Sequence, residues 1–139
     1  HDTHVASMLR ALSALRALPE DQRPKQVIGC EIWRSLDWVC DDEKVVLDVD
    51  RHRNLSASLS GVFDSQITGG KRYDNATFGR QAANATFFES HATDTSTALT
   101  WGIDLTPLVV DPELSVTRYI EDFIERFEED VTDRLSTFS

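Results

Sequence analysis

Apolar residues at Val5, Met8, Leu9, Leu12 and Leu15 recur at the three-and-four spacing of one helix face and predict a helix over residues 3–17. Asp2 or Thr3 offers the side-chain oxygen of an N-cap. A polar stretch, 19–25, with Pro19 and Pro24 in it, ends that helix. Residues 26–33 read as a strand, with Val27, Ile28, Cys30 and Ile32 near its core, and 44–49 as a second strand. Its Val45-Val46-Leu47 is the kind of apolar run buried in a parallel sheet. Asn54 or Ser56 starts a helix to about Gln66, with Leu55, Leu59, Val62 and Phe63 on one face. Residues 68–72 form a loop in which Gly69 and Gly70 give backbone freedom and Lys71 and Arg72 follow. A helix over 74–89 has Phe78, Ala82, Ala85 and Phe88 as its inner stripe. The apolar residues of 97–110 fit a strand or an irregular buried segment equally well. Asp111-Pro112-Glu113 predicts a helix start, and the helix runs to about Leu135. Its stripe is Tyr119, Ile120, Phe123, Ile124, Phe127, Val131 and Leu135, and Glu121, Asp122, Glu125, Glu128, Glu129 and Asp133 lie opposite. Docking on its own domain is the plain role for this helix; pairing with a partner or in a homo-oligomer is the alternative.

Helices alternating with strands imply a layered α/β domain. At 139 residues, 40% hydrophobic and 27% charged, the chain has the length and apolar content of one globular domain. Its net charge of −10 argues against nucleic acid or an anionic membrane surface as partner, since both are bound through basic patches. No apolar run approaches the roughly 18 residues of a membrane span, and no basic-plus-apolar leader opens the chain, so the expected location is cytoplasmic. Cys30 and Cys40 read as small buried residues beside strands; a disulfide between them or a zinc role is the alternative. The Asn-x-Ser/Thr sequons at Asn54, Asn75 and Asn84 are most simply chance.

The chemistry-bearing motif is His1-Asp2-Thr3-His4 at the entrance of the first helix. Two histidines three apart can aim both imidazoles at one point. Catalytic zinc takes three protein ligands and leaves one position for water, and a second imidazole off the metal can act as an acid or stabilise an oxyanion. A surface or capping histidine pair has the same spacing. A chain that opens on this pair, with only two clear strands, reads as the later part of a site, so that the function belongs to a longer parent protein.

The order of motifs adds to this. His-x-x-His with a helix comes first, then a strand bearing Glu31-x-Trp33, a strand ending in Asp48 and Asp50, a helix closing in Asp64-Ser65-Gln66, a glycine loop and Phe78-Gly79-Arg80. This order resembles the LmbE/PIG-L family of zinc-dependent N-deacetylases, which act mostly on N-acetylglucosamine-type substrates. The likeness covers residues 1–92, and 93–139 carry no motif of the family. It implies a Rossmann-like α/β layered domain of the LmbE type, represented by its C-terminal half and followed by the long amphipathic helix.

The resemblance also implies roles. His4 would be the third zinc ligand, and His1 the histidine that stabilises the oxyanion or protonates the leaving amine. Zinc, in the full-length parent, would activate the water that attacks the acetamide carbonyl of an amino sugar or its conjugate. Thr3 stands where the family commonly has an aspartate that orients the histidine, and Asp2 where proline is common. No His-Pro-Asp-Asp, the family's source of two ligands and the general base, occurs in this chain, so turnover by these residues alone is not expected. Glu31 and Trp33 follow the first strand, where α/β sheets place ligand loops, and either line the site or pack structurally. Lys71 and Arg72 either hold a phosphate or sugar oxygen or belong to a solvated loop. Gln66 either braces the site or caps its own helix. His52 and His91 have no constellation around them and read as surface residues. Two alternatives to the deacetylase are a non-catalytic α/β interaction module working through the acidic C-terminal helix and a metal-free sugar-binding relative.

Overall fold

The computed structural model describes residues 2–31, 34–88 and 96–138. The elements are α1 (Asp2–Arg16), β1 (Ile28–Cys30), β2 (Val45–Asp48), α2 (Arg53–Gly61), α3 (Tyr73–Phe88), β3 (Leu99–Asp104), α4 (Thr106–Val110) and α5 (Val116–Thr137), with single 3₁₀ turns at Glu20–Gln22, Asp41–Glu43 and Asp64–Gln66. The protein is therefore mixed α/β, with a small sheet and a long C-terminal helix. The three strands are ordered β1-β3-β2. β2 and β3 run antiparallel, with Val45 opposite Gly102 and Asp48 opposite Leu99. The run Val45-Val46-Leu47 thus belongs to an antiparallel pair rather than to a parallel one, and Val46 is exposed. Only alternate residues of this strand are covered, as antiparallel sheets allow.

The chain divides into two compact units. One comprises residues 1–29, 38–44 and 103–139, the other 30–37 and 45–102. The first holds the larger core: Leu12, Val39, Ile103, Leu105, Leu108, Val109 and Phe123 are all buried. The ambiguous segment 97–110 resolves into β3, a bend at Leu105 and α4, where Asp104 Oδ1 accepts the Thr106 N–H at 2.8 Å. Leu105 N–H donates to the Val27 carbonyl at 2.8 Å, and Val27 N–H donates to Thr106 Oγ1 at 2.9 Å. Two arginines fix α4 to the end of α1. Arg16 donates to the carbonyls of Leu108 and Leu114. Arg23 donates to Val109 and, nearer to it in sequence, to Leu18 and Arg16. These carbonyls include ones that a short helix leaves unsatisfied, and a guanidinium with five donors can serve several of them.

The helix α5 starts at Val116, later than Asp111-Pro112-Glu113 predicts. Asp111 instead closes a turn by accepting the Glu113 N–H at 2.9 Å, and Ser115 is the N-cap, its Oγ accepting from Arg118 N–H at 3.3 Å. Phe123 is the buried anchor of α5; Tyr119 meets it edge-on at 5.3 Å and donates its hydroxyl to the Asp104 carbonyl at 2.6 Å. Arg126 lies 4.8 Å over the Phe123 ring and pairs with Glu43 at 2.6 Å. Of the predicted stripe, Ile124, Val131 and Leu135 are exposed.

In the second unit α2 contacts α3. The helix predicted through Gln66 stops at Gly61 and resumes as the turn Asp64–Gln66, and Leu55, Leu59, Val62 and Phe63 are all exposed. Likewise α3 does not bury the predicted stripe: Ala82 is exposed and Phe88 is 42% exposed, while Asn84 is the buried residue. Asn84 Oδ1 accepts from the Ser35 hydroxyl at 2.8 Å and its Nδ2 donates to the Leu99 carbonyl at 3.2 Å. A polar pair thus fixes α3 between β3 and the loop at 35. Buried amides are tolerated when satisfied in this way. Phe88 finds its partner in Trp101, with ring centroids 5.2 Å apart.

Candidate functional site

His4 sits on the first turn of α1 and is exposed; His1 lies outside the described residues. The helix forms here because Asp2 brings negative charge to the first turn, where the helix dipole favours it. Among the described residues, no group of three His, Cys, Asp or Glu side chains could hold a metal ion. His4 therefore offers at most one imidazole, and the described residues alone do not fit a zinc ion.

Glu31 and the residues after it belong to the other unit. Glu31 is half-buried, and its Oε2 accepts the N–H of Leu36 at 3.0 Å. Leu36 is buried with φ at +53°, a left-handed conformation that costs a branched residue roughly 1–2 kcal/mol. The carboxylate thus clamps a strained loop, and its chemistry is directed to the backbone. Trp33 lies outside the described residues.

Gln66, Lys71 and Arg72 lie close in sequence around the glycine turn. Gln66 ends the 3₁₀ turn, its N–H bonded to the Phe63 carbonyl at 2.8 Å and its amide near Ser65 Oγ at 3.5 Å. Gly69 and Gly70 take positive φ of 68° and 87°, and Arg72 follows at +46°. Only glycine adopts such angles freely, so the two glycines are what let the chain turn into α3. Arg72 grips the start of that helix, donating Nε and Nη2 to the two oxygens of Asp74 at 3.0 and 2.9 Å and Nη2 to Asn75 Oδ1 at 2.8 Å. The Arg72 bond holds the Asp74 carboxyl below the usual carboxylate range and raises the guanidinium in turn. The charge of Arg72 is therefore already matched, and Lys71, exposed, is the cation of this loop with no ion pair among the described residues.

Among the described residues, the pair Asp48 and Asp50 at the end of β2 is the most heavily bonded carboxylate cluster. Asp50 accepts from the Thr97 N–H at 2.9 Å, from the Thr97 hydroxyl and from Arg53 Nε at 2.9 Å. Asp48 accepts from the Asp50 N–H at 2.9 Å and from Ser96 Oγ at 3.0 Å. These bonds lower both carboxyl pKa values, the Thr97 hydroxyl contributing most at Asp50 and the Asp50 N–H most at Asp48. The signal in sequence is a carboxylate pair with two arginines directly after a strand, but Ser96 and Thr97 are distant in sequence and complete the cluster only in the fold.

His52 is exposed at the N-cap position of α2 and makes no side-chain capping bond, and His91 lies outside the described residues. Cys30 is an exposed free thiol and not a buried residue, because it closes a strand of only three residues. Cys40 is a half-buried free thiol, its pKa raised by burial and then by Glu43, Asp130 and Asp42. Asn84, the third sequon asparagine, has its amide bonded inside the unit, so the folded chain leaves it inaccessible to modification.

No family model, curated protein or solved structure matches the chain. No helix among the described residues is long and apolar enough to cross a membrane.

Proposed function

We propose that this chain is part of an amide hydrolase that removes acetyl from an N-acetylated amino sugar or its conjugate, of the LmbE/PIG-L kind. The observation that carries the reading is the motif His1-Asp2-Thr3-His4 at the head of α1, with His4 exposed on the first helical turn. The motif order through Asp64-Ser65-Gln66, the glycine turn and Phe78-Gly79-Arg80 supports the same reading.

In this reading His1 acts on the substrate. As imidazolium it donates a hydrogen bond to the developing oxyanion or passes its proton to the leaving amine. Asp2 stands beside it in sequence and is the candidate to orient it. His4 is the candidate zinc ligand. Because the described residues do not complete a zinc site, the reading requires further ligands and a carboxylate base from outside the described residues. A Rossmann-like arrangement of the whole domain belongs to the same proposal.

The test is an amine-release assay of the complete gene product on N-acetylglucosamine conjugates, alongside metal analysis by mass spectrometry. The expected result is free amine and stoichiometric zinc, both lost together in His4→Ala. His1→Ala keeps zinc and loses turnover. Zinc retained at full stoichiometry by His4→Ala overturns the ligand assignment. No amine release from any acetylated amino sugar by zinc-loaded protein overturns the activity.

A further inference from the structure

The helix α5 and its C-cap residue carry apolar side chains that stay exposed. Ile124, Val131 and Phe138 are 46%, 40% and 90% exposed. Ile124 and Val131 are seven residues apart, two helical turns, so they fall on nearly one line along the helix, and Phe138 is the C-cap residue at its end. The buried anchor of the helix is Phe123, on a different face, and it is held there by Tyr119 and Arg126. The exposed row is thus additional to the face that docks α5 on its own unit.

Charge tells which partner suits the row. Glu121 and Glu128, also seven apart, lie roughly 40–80° around the helix from Ile124 and Val131, at about 100° per residue. Every arginine of α5 is already engaged: Arg118 with Asp122 and Glu125, Arg126 with Glu43, Arg134 with Asp130. Glu128 makes no ion pair among the described residues, and Glu121 reaches Arg118 only through its field. A second copy packed along this row would set these glutamates against the carboxylates of its own α5, in a chain of net charge −10. Like charges at such flanking positions select against self-pairing, and opposite charges select for pairing.

We infer that Ile124, Val131 and Phe138 form a docking row for a helix of another protein that carries an apolar stripe bordered by lysine or arginine. The apolar residues supply the contact area, and Glu121 and Glu128 set the orientation and exclude acidic helices. The inference stands apart from the deacetylase reading and survives its failure, because it uses none of the same residues.

The probe is a synthetic 21-residue peptide of leucine and lysine in three heptads, with a leucine–glutamate peptide of the same pattern as control. Binding to the full chain is followed by backbone amide shifts and by titration calorimetry. The expected result is binding of the lysine peptide alone, with shifts concentrated on 120–138 and affinity reduced roughly tenfold or more by Val131→Asp. Glu121→Lys with Glu128→Lys, on side chains that face solvent, weakens the lysine peptide and admits the glutamate peptide. Helical circular dichroism of each variant verifies that the fold is retained. Shifts spread over other acidic segments such as Asp41 and Asp42, or affinity unchanged by Val131→Asp, overturn the inference. So does no binding at all, or sedimentation of the chain alone as a dimer that Val131→Asp dissociates, which would give the row to a second copy.

Discussion

The side chain of Arg16 donates from Nε to the backbone carbonyl of Leu108, 92 residues further along the chain, at 2.5 Å. Its Nη2 donates to Leu114 at 2.7 Å. One planar guanidinium thus serves two carbonyls at the end of α4 and in the turn that follows. Arg16→Met is expected to destabilise the chain by about 2 kcal/mol, the scale of a lost charged hydrogen bond with a carbonyl left unsatisfied. Arg16→Lys is expected to recover only part of this, because an ammonium on a flexible stem does not reproduce the fork. Urea midpoints for the three proteins, at unchanged slope, check both statements.

Gly29 is needed for space. A Cβ built there would come within 2.7 Å of Leu105 Cδ1 and 3.2 Å of Leu105 Cγ, and Leu105 is itself buried. Gly29→Ala is expected to cost about 1–3 kcal/mol through overpacking. Leu105→Val in the same chain is expected to relieve part of that cost, so that the double variant is more stable than the sum of the singles implies. Thermal unfolding of the four proteins of the cycle measures the coupling.

Asn84→Ala is expected to be more damaging than Ser35→Ala. The first strips the Leu99 carbonyl and the Ser35 hydroxyl of their partner at once; the second leaves only Asn84 Oδ1 without one. At about 1–3 kcal/mol for each buried polar group left unsatisfied, Asn84→Ala should cost roughly twice as much. Equilibrium denaturation ranks them. Equal losses would mean that water enters and restores the missing bonds.

The stability of the second unit is expected to fall in acid. Asp50 is bonded by Thr97 and Arg53 and Asp48 by its neighbours, and both carboxyls titrate below their ordinary value of about 3.8. A carboxyl depressed in the folded state releases its proton more readily folded than unfolded. Its stabilisation is therefore complete above the unfolded pKa and is lost as pH falls through the folded one. Thr97→Val removes the hydroxyl that contributes most at Asp50, and should flatten the fall in melting temperature below pH 4 relative to the parent chain. An identical acid limb in the variant would assign the loss to other carboxylates.

Helix positions were legible in the sequence because helical hydrogen bonds are local. The spacing of Val5, Leu9 and Leu12 located α1 to within a residue or two, and the long stripe located most of α5. The start of α5 was misplaced because Asp111 has two local uses, capping a helix or closing a turn, and the choice depends on where the chain must go next. The candidate site was legible only as a list. Glu31 and Arg72 have the residue types of a binding site, but in the fold Glu31 is spent on the Leu36 amide and Arg72 on Asp74 and Asn75. Those partners are near in sequence, yet only backbone angles such as the positive φ of Leu36 and Arg72 bring them into reach.

By itself the sequence determined a mixed α/β chain, the approximate extents of α1 and α3 and most of α5, the acidity of α5 and the His1-Asp2-Thr3-His4 motif. Each of these follows from composition or from a repeat within a few residues. The tertiary structure alone decided which apolar faces are covered: Phe123 and Leu108 are buried, while Leu55, Phe63 and Val131 are not. It alone set β2 antiparallel to β3 and placed Arg16 on α4 and Asn84 beneath Ser35. Periodicity specifies that a face is apolar, but its burial depends on what distant segments bring against it, and that is a property of the packed chain.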